Sequence, residues 1–176
     1  MPNDAKPALT GTERYFDDTD VIVSKTDTKG WITYANETFL EIADYGEDEV
    51  VGKPHSLIRH PDMPRCVFKL LWDTVQAGQE LFAYVINRTK FGDHYWVLAH
   101  VTPSFDKDGA VVGYHSNRRV PRRDVITGVI TPLYRQLVDA EHRAHNPKDG
   151  LAASAAMLAG ILKDKGTSYD KWVLTL

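Results

Sequence analysis

Short apolar runs separated by turn residues organise most of the chain. Five runs have strand composition, rich in β-branched and aromatic residues and bounded by turn-forming residues. Hairpin-type connections at 90–93 and 106–109 join the last three runs. The strand-type runs lie at residues 21–23, 31–34, 81–89, 95–105 and 110–120. This pattern predicts two strands and then, after a helical interval, a three-stranded antiparallel meander.

Helical periodicity fills the interval between the second and third strands. A short helix is predicted at 36–43, and the longest central helix is predicted at 64–77. In the longer one, Val67, Leu71 and Val75 recur at helical spacing, and Gly78 follows as a C-cap residue. A further short helix is predicted near residues 13–17.

Three more helices are predicted after the last strand. Thr131 and Pro132 form an N-cap and first-turn pair that opens a helix to about residue 142. A second helix, ending at Gly166, carries an apolar stripe, and Ser168 is positioned to cap a last helix at 169–174. The stripe, made of Leu151, Ala155, Leu158 and Leu162, predicts packing within the chain or a homodimer seam.

The order of elements predicts an α+β fold with three regions. Residues 1–19 form a lead-in, residues 20–121 a sheet-and-helix domain, and residues 122–176 a C-terminal helical extension. A chain of 176 residues fits one such domain with an appendage.

Composition narrows the function classes. Apolar residues make up 43% and charged residues 26%, so the chain is a folded protein. A formal net charge of −3 gives no electrostatic footprint for nucleic acid or for an anionic membrane. No apolar run approaches the roughly 20 residues that span a bilayer, so we expect no direct membrane insertion. Cys66 is the single cysteine, which excludes an internal disulfide and a thiolate zinc cluster and suits a cytoplasmic location.

The segment 59–64 concentrates polar chemistry at the mouth of the predicted central helix. It holds Arg59, His60 and Asp62, and prolines at 61 and 64 stiffen its backbone. A helix N-terminus beside an arginine and an imidazole suits an anion such as a phosphate. A solvated surface turn explains the same six residues, and on these residues alone both interpretations stay open.

Several motifs together resemble the PAS domain of the bacterial aerotaxis-receptor family, over about residues 20–121. The resemblance is carried by Tyr-Ala-Asn-Glu-Thr-Phe at 34–39, by the segment 59–64, by Asn87-Arg88, and by Gly-Asp-His-Tyr-Trp-Val at 92–97. That family binds FAD non-covalently and signals its redox state. The resemblance therefore implies a PAS fold with a five-stranded antiparallel sheet, flanking helices and an FAD site.

The resemblance also implies a role for each matching side chain. Arg59, His60 and Asp62 resemble residues near the diphosphate and adenosine of FAD. Asn36 and Asn87 resemble pocket amides. His115 lies where flavin photoadduct relatives keep a signalling glutamine, which predicts either a relay under the flavin ring or a structural histidine. Pocket aromatics are expected at Phe68, Trp72 and Trp96.

Elementary chemistry supports some of these roles and leaves others open. The Asn87 amide is both donor and acceptor and can pair with the polar edge of a flavin. Arg59 can hold a phosphate bidentately. Asp62, itself negative, could orient a neighbour, accept a ribose hydroxyl or cap the central helix. Phe68 and Trp72 share a helical face and suit either a core or a cofactor wall.

The expected function is that of a redox or oxygen sensor rather than an enzyme. The sequence holds no hydrolase, zinc-protease or phosphate-loop motif. We expect a stand-alone module that passes the flavin state to a membrane chemoreceptor or another signalling protein in trans. Two alternatives stay open: a cofactor-free interaction module, and a sensor of haem or another small molecule, for which His55 and His60 are available ligands.

Overall fold

A five-stranded antiparallel sheet forms the centre of the protein. The computed structural model describes residues 6–176. The strands are β1 (Ile22–Thr26), β2 (Ile32–Ala35), β3 (Leu81–Arg88), β4 (His94–Phe105) and β5 (Val111–Arg119). Their spatial order is β2-β1-β5-β4-β3, so the first and last strands of the chain pair in the middle. The predicted α+β fold with a five-stranded sheet is confirmed.

Helices cover the sheet in two groups. The first group lies between β2 and β3 and comprises α1 (Glu37–Ala43), α2 (Glu47–Val50), the 3-10 turn His55–Ile58 and α3 (Arg65–Gln76). The second group follows β5 and comprises α4 (Arg123–Val125), the π turn Ile126–Ile130, α5 (Thr131–Arg143), α6 (Pro147–Asp164) and α7 (Tyr169–Thr175). No helix within residues 6–176 is both long and apolar enough to cross a membrane.

Strand alternation decides which side chains face the first helical group. Val85 and Asn87 on β3, Ala99 on β4, and Ser116 and Arg118 on β5 all line the space beneath α3. Odd positions on β3 and β4 and even positions on β5 therefore share one face, which is called the inner face below. The remaining positions of these strands form the outer face.

The N-terminal segment is extended rather than helical, so the helix predicted near 13–17 is wrong. Glu13 forms a bridge to His94 at the start of β4, and the Arg14 amide donates to the His94 carbonyl at 2.7 Å. Gly92 has φ +100°, and a Cβ there would lie 2.1 Å from the Ala8 carbonyl oxygen. Only glycine admits the segment so close to the β3–β4 hairpin.

The start of α3 also differs from the sequence prediction. Pro64 precedes the helix, and no side chain of the 59–64 segment caps it, so the option that Asp62 caps α3 is wrong. The cap comes from a distant part of the chain: Glu141 Oε1 on α5 accepts from the Cys66 amide at 3.2 Å. The polar start of α3 is thereby tied to the C-terminal extension.

The helix predicted to begin at Thr131 begins earlier. The backbone continues from α4 through the π turn into α5, and Thr131 has helical dihedrals rather than those of an N-cap. The apolar stripe of α6 packs within the chain, mainly against α5 and α3, with Leu158 buried. The predicted packing within the chain is therefore confirmed, and the predicted homodimer stays a prediction.

A buried tyrosine pair anchors the extension to the sheet edge. Tyr134 on α5 donates its hydroxyl to the carbonyl oxygen of Tyr84 on β3 at 2.5 Å and lies 2.8 Å from the Tyr169 hydroxyl. Burial raises the pKa of Tyr134 well above its ordinary value. The pair satisfies an edge-strand carbonyl that would otherwise be buried without a partner.

The substitution Tyr134→Phe should lower the free energy of unfolding by about 1–3 kcal/mol, because it leaves the Tyr84 carbonyl and the Tyr169 hydroxyl unsatisfied. Urea unfolding followed by circular dichroism measures the change. The control Tyr34→Phe removes a hydroxyl from a ring that is 44% exposed and should leave stability unchanged. Equal stability of Tyr134→Phe and the wild type would show that the pair does not anchor the extension.

Candidate ligand-binding site

Three adjoining cavities run from the inner face of the sheet to the surface. The innermost one, called the slot, lies between α3 and the sheet and has a volume of about 60 Å³. Apolar side chains of α3, β3 and β4 form most of its wall. Its lining residues are Ser24, Thr26, His55, Phe68, Leu71, Trp72, Val75, Val85, Asn87, Ala99, Val101, Tyr114, Ser116 and Arg118.

Shared residues connect the slot to two larger cavities. The middle cavity, of about 400 Å³, shares His55, Phe68 and Trp72 with the slot. The basic cleft, of about 710 Å³, shares Ser56, Arg59 and Arg65 with the middle cavity. The three spaces therefore lie in a row along the N-terminal half of α3, called the path below, with Phe68 and Trp72 between the slot and the middle cavity.

Polar atoms without partners concentrate at the slot. Within residues 6–176, five buried side-chain nitrogen or oxygen atoms have no hydrogen-bond partner: Thr26 Oγ1, Asn87 Nδ2, Tyr95 OH, Ser116 Oγ and Arg118 Nη1. Four of the five belong to residues that line the slot. Buried polar groups are normally paired, so this concentration makes the slot the candidate ligand site.

Arg118 is a buried cation held only by neutral groups. It is 3% exposed, and its Nη2 donates to Ser24 Oγ at 2.8 Å and to His55 Nε2 at 2.6 Å. Its guanidinium carbon lies 5.6 Å from the centre of the Phe39 ring. Among the described residues no carboxylate forms an ion pair with it. Burial lowers the pKa of Arg118 to about 10, so the group keeps its charge at neutral pH.

His55 is a neutral imidazole that orients Arg118. Burial, and secondarily the positive charge of Arg118, lower the pKa of His55 to about 3. Its Nε2 is therefore unprotonated and accepts from the guanidinium. The pair directs the free Nη1 of Arg118 without neutralising its charge.

Aromatic side chains separate the slot from the middle cavity. Phe68 and Trp72 on α3 line both spaces, and the Trp72 ring meets the Tyr114 ring edge-on at 5.3 Å between centroids. The Arg59 guanidinium lies over Phe68 at 4.4 Å. Gly30, with φ +82°, admits the far edge of Trp72, because a Cβ there would lie 2.9 Å from Trp72 Cη2.

Four cationic side chains line the basic cleft, and none of them has a carboxylate partner in the described part of the chain. Lys6, Arg59, Arg65 and Arg88 line it and donate to backbone carbonyl oxygens. Within residues 6–176, none of the four forms an ion pair. Burial, followed by the charges of Arg88 and Arg59, lowers the pKa of Lys6. Like charges held together in this way favour the binding of an anion.

The structure brings five of the nine sequence-predicted site residues to this path. Asn87, Phe68 and Trp72 line the slot, and Arg59 and His60 line the basic cleft. His60 is buried, and burial lowers its pKa. Its Nδ1 accepts from the Asp62 amide at 3.1 Å.

Asn36 and Asp62 lie outside the three cavities. Asn36 caps α1: its Oδ1 accepts from the amides of Phe39 and Val23, and its Nδ2 donates to the Val21 carbonyl. This amide is fully used by the backbone and does not line the pocket. The Asp62 side chain is 74% exposed and lies 3.8 Å from His60 Nδ1.

Trp96 and His115 face the opposite side of the sheet from the slot, which corrects their predicted places in the pocket. The Trp96 ring packs against Tyr134 of α5 at 6.0 Å between centroids. His115 Nε2 lies 3.1 Å from Asn117 Oδ1 on the outer face of β5. A shift of one residue along a strand exchanges the faces, so Tyr114 and Ser116 reach the slot in place of His115.

Arg118, and the role of His55 beside it, were not predicted from the sequence. The sequence of β5 has polar residues on both faces, so alternation gave no signal for its register. The register of β5 is set by its pairing with β1, in which Tyr114 lies opposite Thr26 and Arg118 lies opposite Ile22.

Comparison with known proteins identifies the fold. A sequence profile of the PAS fold matches residues 32–118. The chain belongs to the PAS family. It is 38% identical over 131 residues to the aerotaxis receptor of Escherichia coli strain K12. This alignment covers 74% of this chain and 26% of the receptor. The chain thus spans about a quarter of the length of that protein.

More distant relatives share the fold. Phototropin-1A of Oryza sativa subsp. japonica is 29% identical over 80 residues, covering 46% of this chain and 9% of that protein. The light-state structure of the blue-light photoreceptor Aureochrome1 LOV superposes with a TM-score of 0.56 at 23% identity, covering 63% of this chain and 89% of that one. The likeness to this solved structure shows the shared fold.

Stability should depend on pH through His55. Its folded-state pKa is depressed, so the unfolded chain binds the proton first, and stability is lost as pH falls from about 6.5 toward about 3. The wild type should lose roughly 1 kcal/mol more per pH unit than His55→Gln, whose amide oxygen can still accept from Arg118. Urea unfolding at pH 6.5, 5.5 and 4.5 measures the slopes.

The exposed His145 supplies the control for this measurement. His145→Gln should follow the wild-type slope, because its side chain is solvated in the folded chain. Parallel slopes for His55→Gln and the wild type would mean that His55 is not buried as a neutral group.

Proposed function

We propose that this PAS domain binds FAD and acts as a redox or oxygen sensor for energy taxis or a related response. The observation that carries the proposal is the row of three adjoining cavities, from an apolar slot with unpaired polar atoms to a cleft with four cations that have no carboxylate partner within residues 6–176. Such a path suits a ligand with a flat ring at one end and phosphates at the other.

The residues of the slot fit the polar edge of a flavin. Arg118 Nη1 and Asn87 Nδ2 are unpaired donors, and the pyrimidine edge of a flavin presents carbonyl oxygens that accept. The surrounding aliphatic and aromatic wall suits the rest of the ring. A buried guanidinium without a carboxylate also favours a ring that carries negative charge.

Binding requires the aromatic wall to move. The slot encloses about 60 Å³, whereas sites for ligands of this kind enclose roughly 300–1,000 Å³. Phe68 and Trp72 stand between the slot and the middle cavity, so their displacement merges the two spaces. Both side chains are only partly buried.

The length of the path favours FAD over FMN. A single phosphate needs only the cations near the middle cavity, whereas Arg88 and Lys6 lie farther along, in the basic cleft. A diphosphate followed by adenosine would contact the cations of both the middle cavity and the basic cleft. Arginine forks hold phosphate oxygens in pairs, which suits Arg59 and Arg65 to this task.

When bound, the flavin supplies reversible electron and proton uptake. Asn87 and Arg118 line the slot and would form hydrogen bonds with the flavin ring. Each must adjust these bonds when the charge of the ring changes. Arg118 belongs to β5, whose outer face carries His115 and Asn117. The strand thereby conveys a change in the slot to the opposite surface of the sheet.

The output is proposed to be an interaction rather than a reaction. The relatives include an aerotaxis receptor and, over 117 residues at 23% identity, the blue-light-activated histidine kinase of Rhizobium johnstonii. We propose a membrane chemoreceptor or another signalling protein as the partner, and the cytoplasm as the location.

A haem sensor fits the site less well. The Nε2 of His55 already accepts from Arg118, and the Nδ1 of His60 accepts from the Asp62 amide. A haem iron needs an available imidazole nitrogen. A cofactor-free interaction module would leave the buried polar atoms of the slot without partners.

Absorbance of the purified full-length chain tests the proposal. We expect flavin bands, and we expect the ligand released by denaturation to have the mass of FAD. Arg118→Gln should weaken FAD binding by at least about tenfold, since it removes a charge-assisted bond. The neighbouring Arg119 is exposed on the outer face, so Arg119→Gln should bind FAD as the wild type does.

Failure to bind FAD when the folded protein is saturated with it would refute the proposal. A Soret band would favour the haem sensor, and a colourless protein that takes up no ligand would favour the interaction module. Equal binding by the two arginine variants would remove Arg118 from the site.

A further inference from the structure

Part of the proposed dinucleotide path is built by the C-terminal extension. One wall of the basic cleft consists of residues from the end of α5 and the turn before α6: Glu141, His142, Ala144, His145, Asn146 and Pro147. Leu151 of α6 lines the middle cavity. Two of the three connected spaces therefore depend on residues that follow the sheet.

Specific contacts hold this wall against the start of α3. Glu141 Oε1 accepts from the Cys66 amide at 3.2 Å and from Ser154 Oγ at 2.9 Å. Arg65 Nη1 donates to the Pro147 carbonyl at 2.7 Å. A Cβ on Gly150 would lie 2.4 Å from the Glu141 carbonyl oxygen, so α5 and α6 cross in close contact there. The position of the turn is thus fixed relative to the 59–64 segment.

The two walls of the cleft are chemically complementary to one kind of occupant. The wall from the PAS fold and its lead-in supplies the four cations, while Glu141 is the one carboxylate among the residues lining the cleft. Oε1 of Glu141 already accepts from two donors. The imidazoles of His142 and His145 and the Asn146 amide add hydrogen-bonding groups suited to a nucleoside. A diphosphate on the cationic wall with adenosine against the turn satisfies both sides.

We propose that the α5–α6 turn is part of the cofactor site and selects a dinucleotide over a mononucleotide. In this arrangement Arg59, Arg65 and Arg88 hold the diphosphate, and His142 and His145 contact the adenosine half. This inference rests on the proposed function, because it concerns the far half of the same ligand. It assigns the extension a role in binding.

Dissociation constants of the ligand-free full-length chain for FAD, FMN and riboflavin test the inference. We expect the wild type to bind FAD at least about tenfold more tightly than FMN, because only FAD reaches the far cations. His145→Glu places a negative charge in the cleft and should weaken FAD binding by about tenfold while leaving riboflavin binding unchanged. The matched control Ala159→Glu makes the same charge change on the exposed face of α6 and should leave all three constants unchanged.

The outcomes separate this inference from the proposed function. If FAD and FMN bind equally, or if both variants weaken FAD binding equally, the turn is not part of the site, although flavin binding stands. If no flavin binds the folded wild type, both proposals fail. Unfolding midpoints confirm that each variant is folded. If His145→Glu is not, His142→Ala replaces it and should weaken FAD binding but not riboflavin binding.

Discussion

The buried guanidinium of Arg118 is the constraint on which the proposed site depends. A charge taken out of water is costly unless a partner compensates it, and here the described partners are a serine hydroxyl and a neutral imidazole. Neither neutralises it, and one guanidinium nitrogen stays unpaired at the slot. Stability alone gives little reason to keep such a group. A ligand that brings acceptors or negative charge supplies that reason.

Uncompensated positive charge is also present farther along α3, in the basic cleft. Four cations that donate only to carbonyl oxygens repel one another across the basic cleft, and the nearest carboxylate is engaged at the start of α3. The slot and the cleft thus both have too little negative charge, and they lie at the two ends of the path. In the proposed complex the flavin ring occupies one end and the diphosphate the other.

The sequence predicted the elements well and the faces of the strands less well. Helical periodicity located α3, and strand-type runs joined by hairpin connections located the β3–β5 meander. These patterns did not locate Arg118, because β5 alternates polar residues on both faces and its register is set by contacts with β1 and β4. Asn36 was recognised as important, but its amide caps a helix. The Glu141 cap joins residues 75 apart in the chain, a contact that no local pattern reveals.

A crystal structure of the full-length chain saturated with FAD tests the central claim most directly. The account predicts that carbonyl oxygens of the ring lie within hydrogen-bond distance of Arg118 Nη1 and Asn87 Nδ2, with Phe68 and Trp72 displaced. It also predicts the diphosphate between the 59–64 segment and the α5–α6 turn. A flavin ring bound elsewhere, with Arg118 still unpaired and the aromatic wall unmoved, would contradict the account.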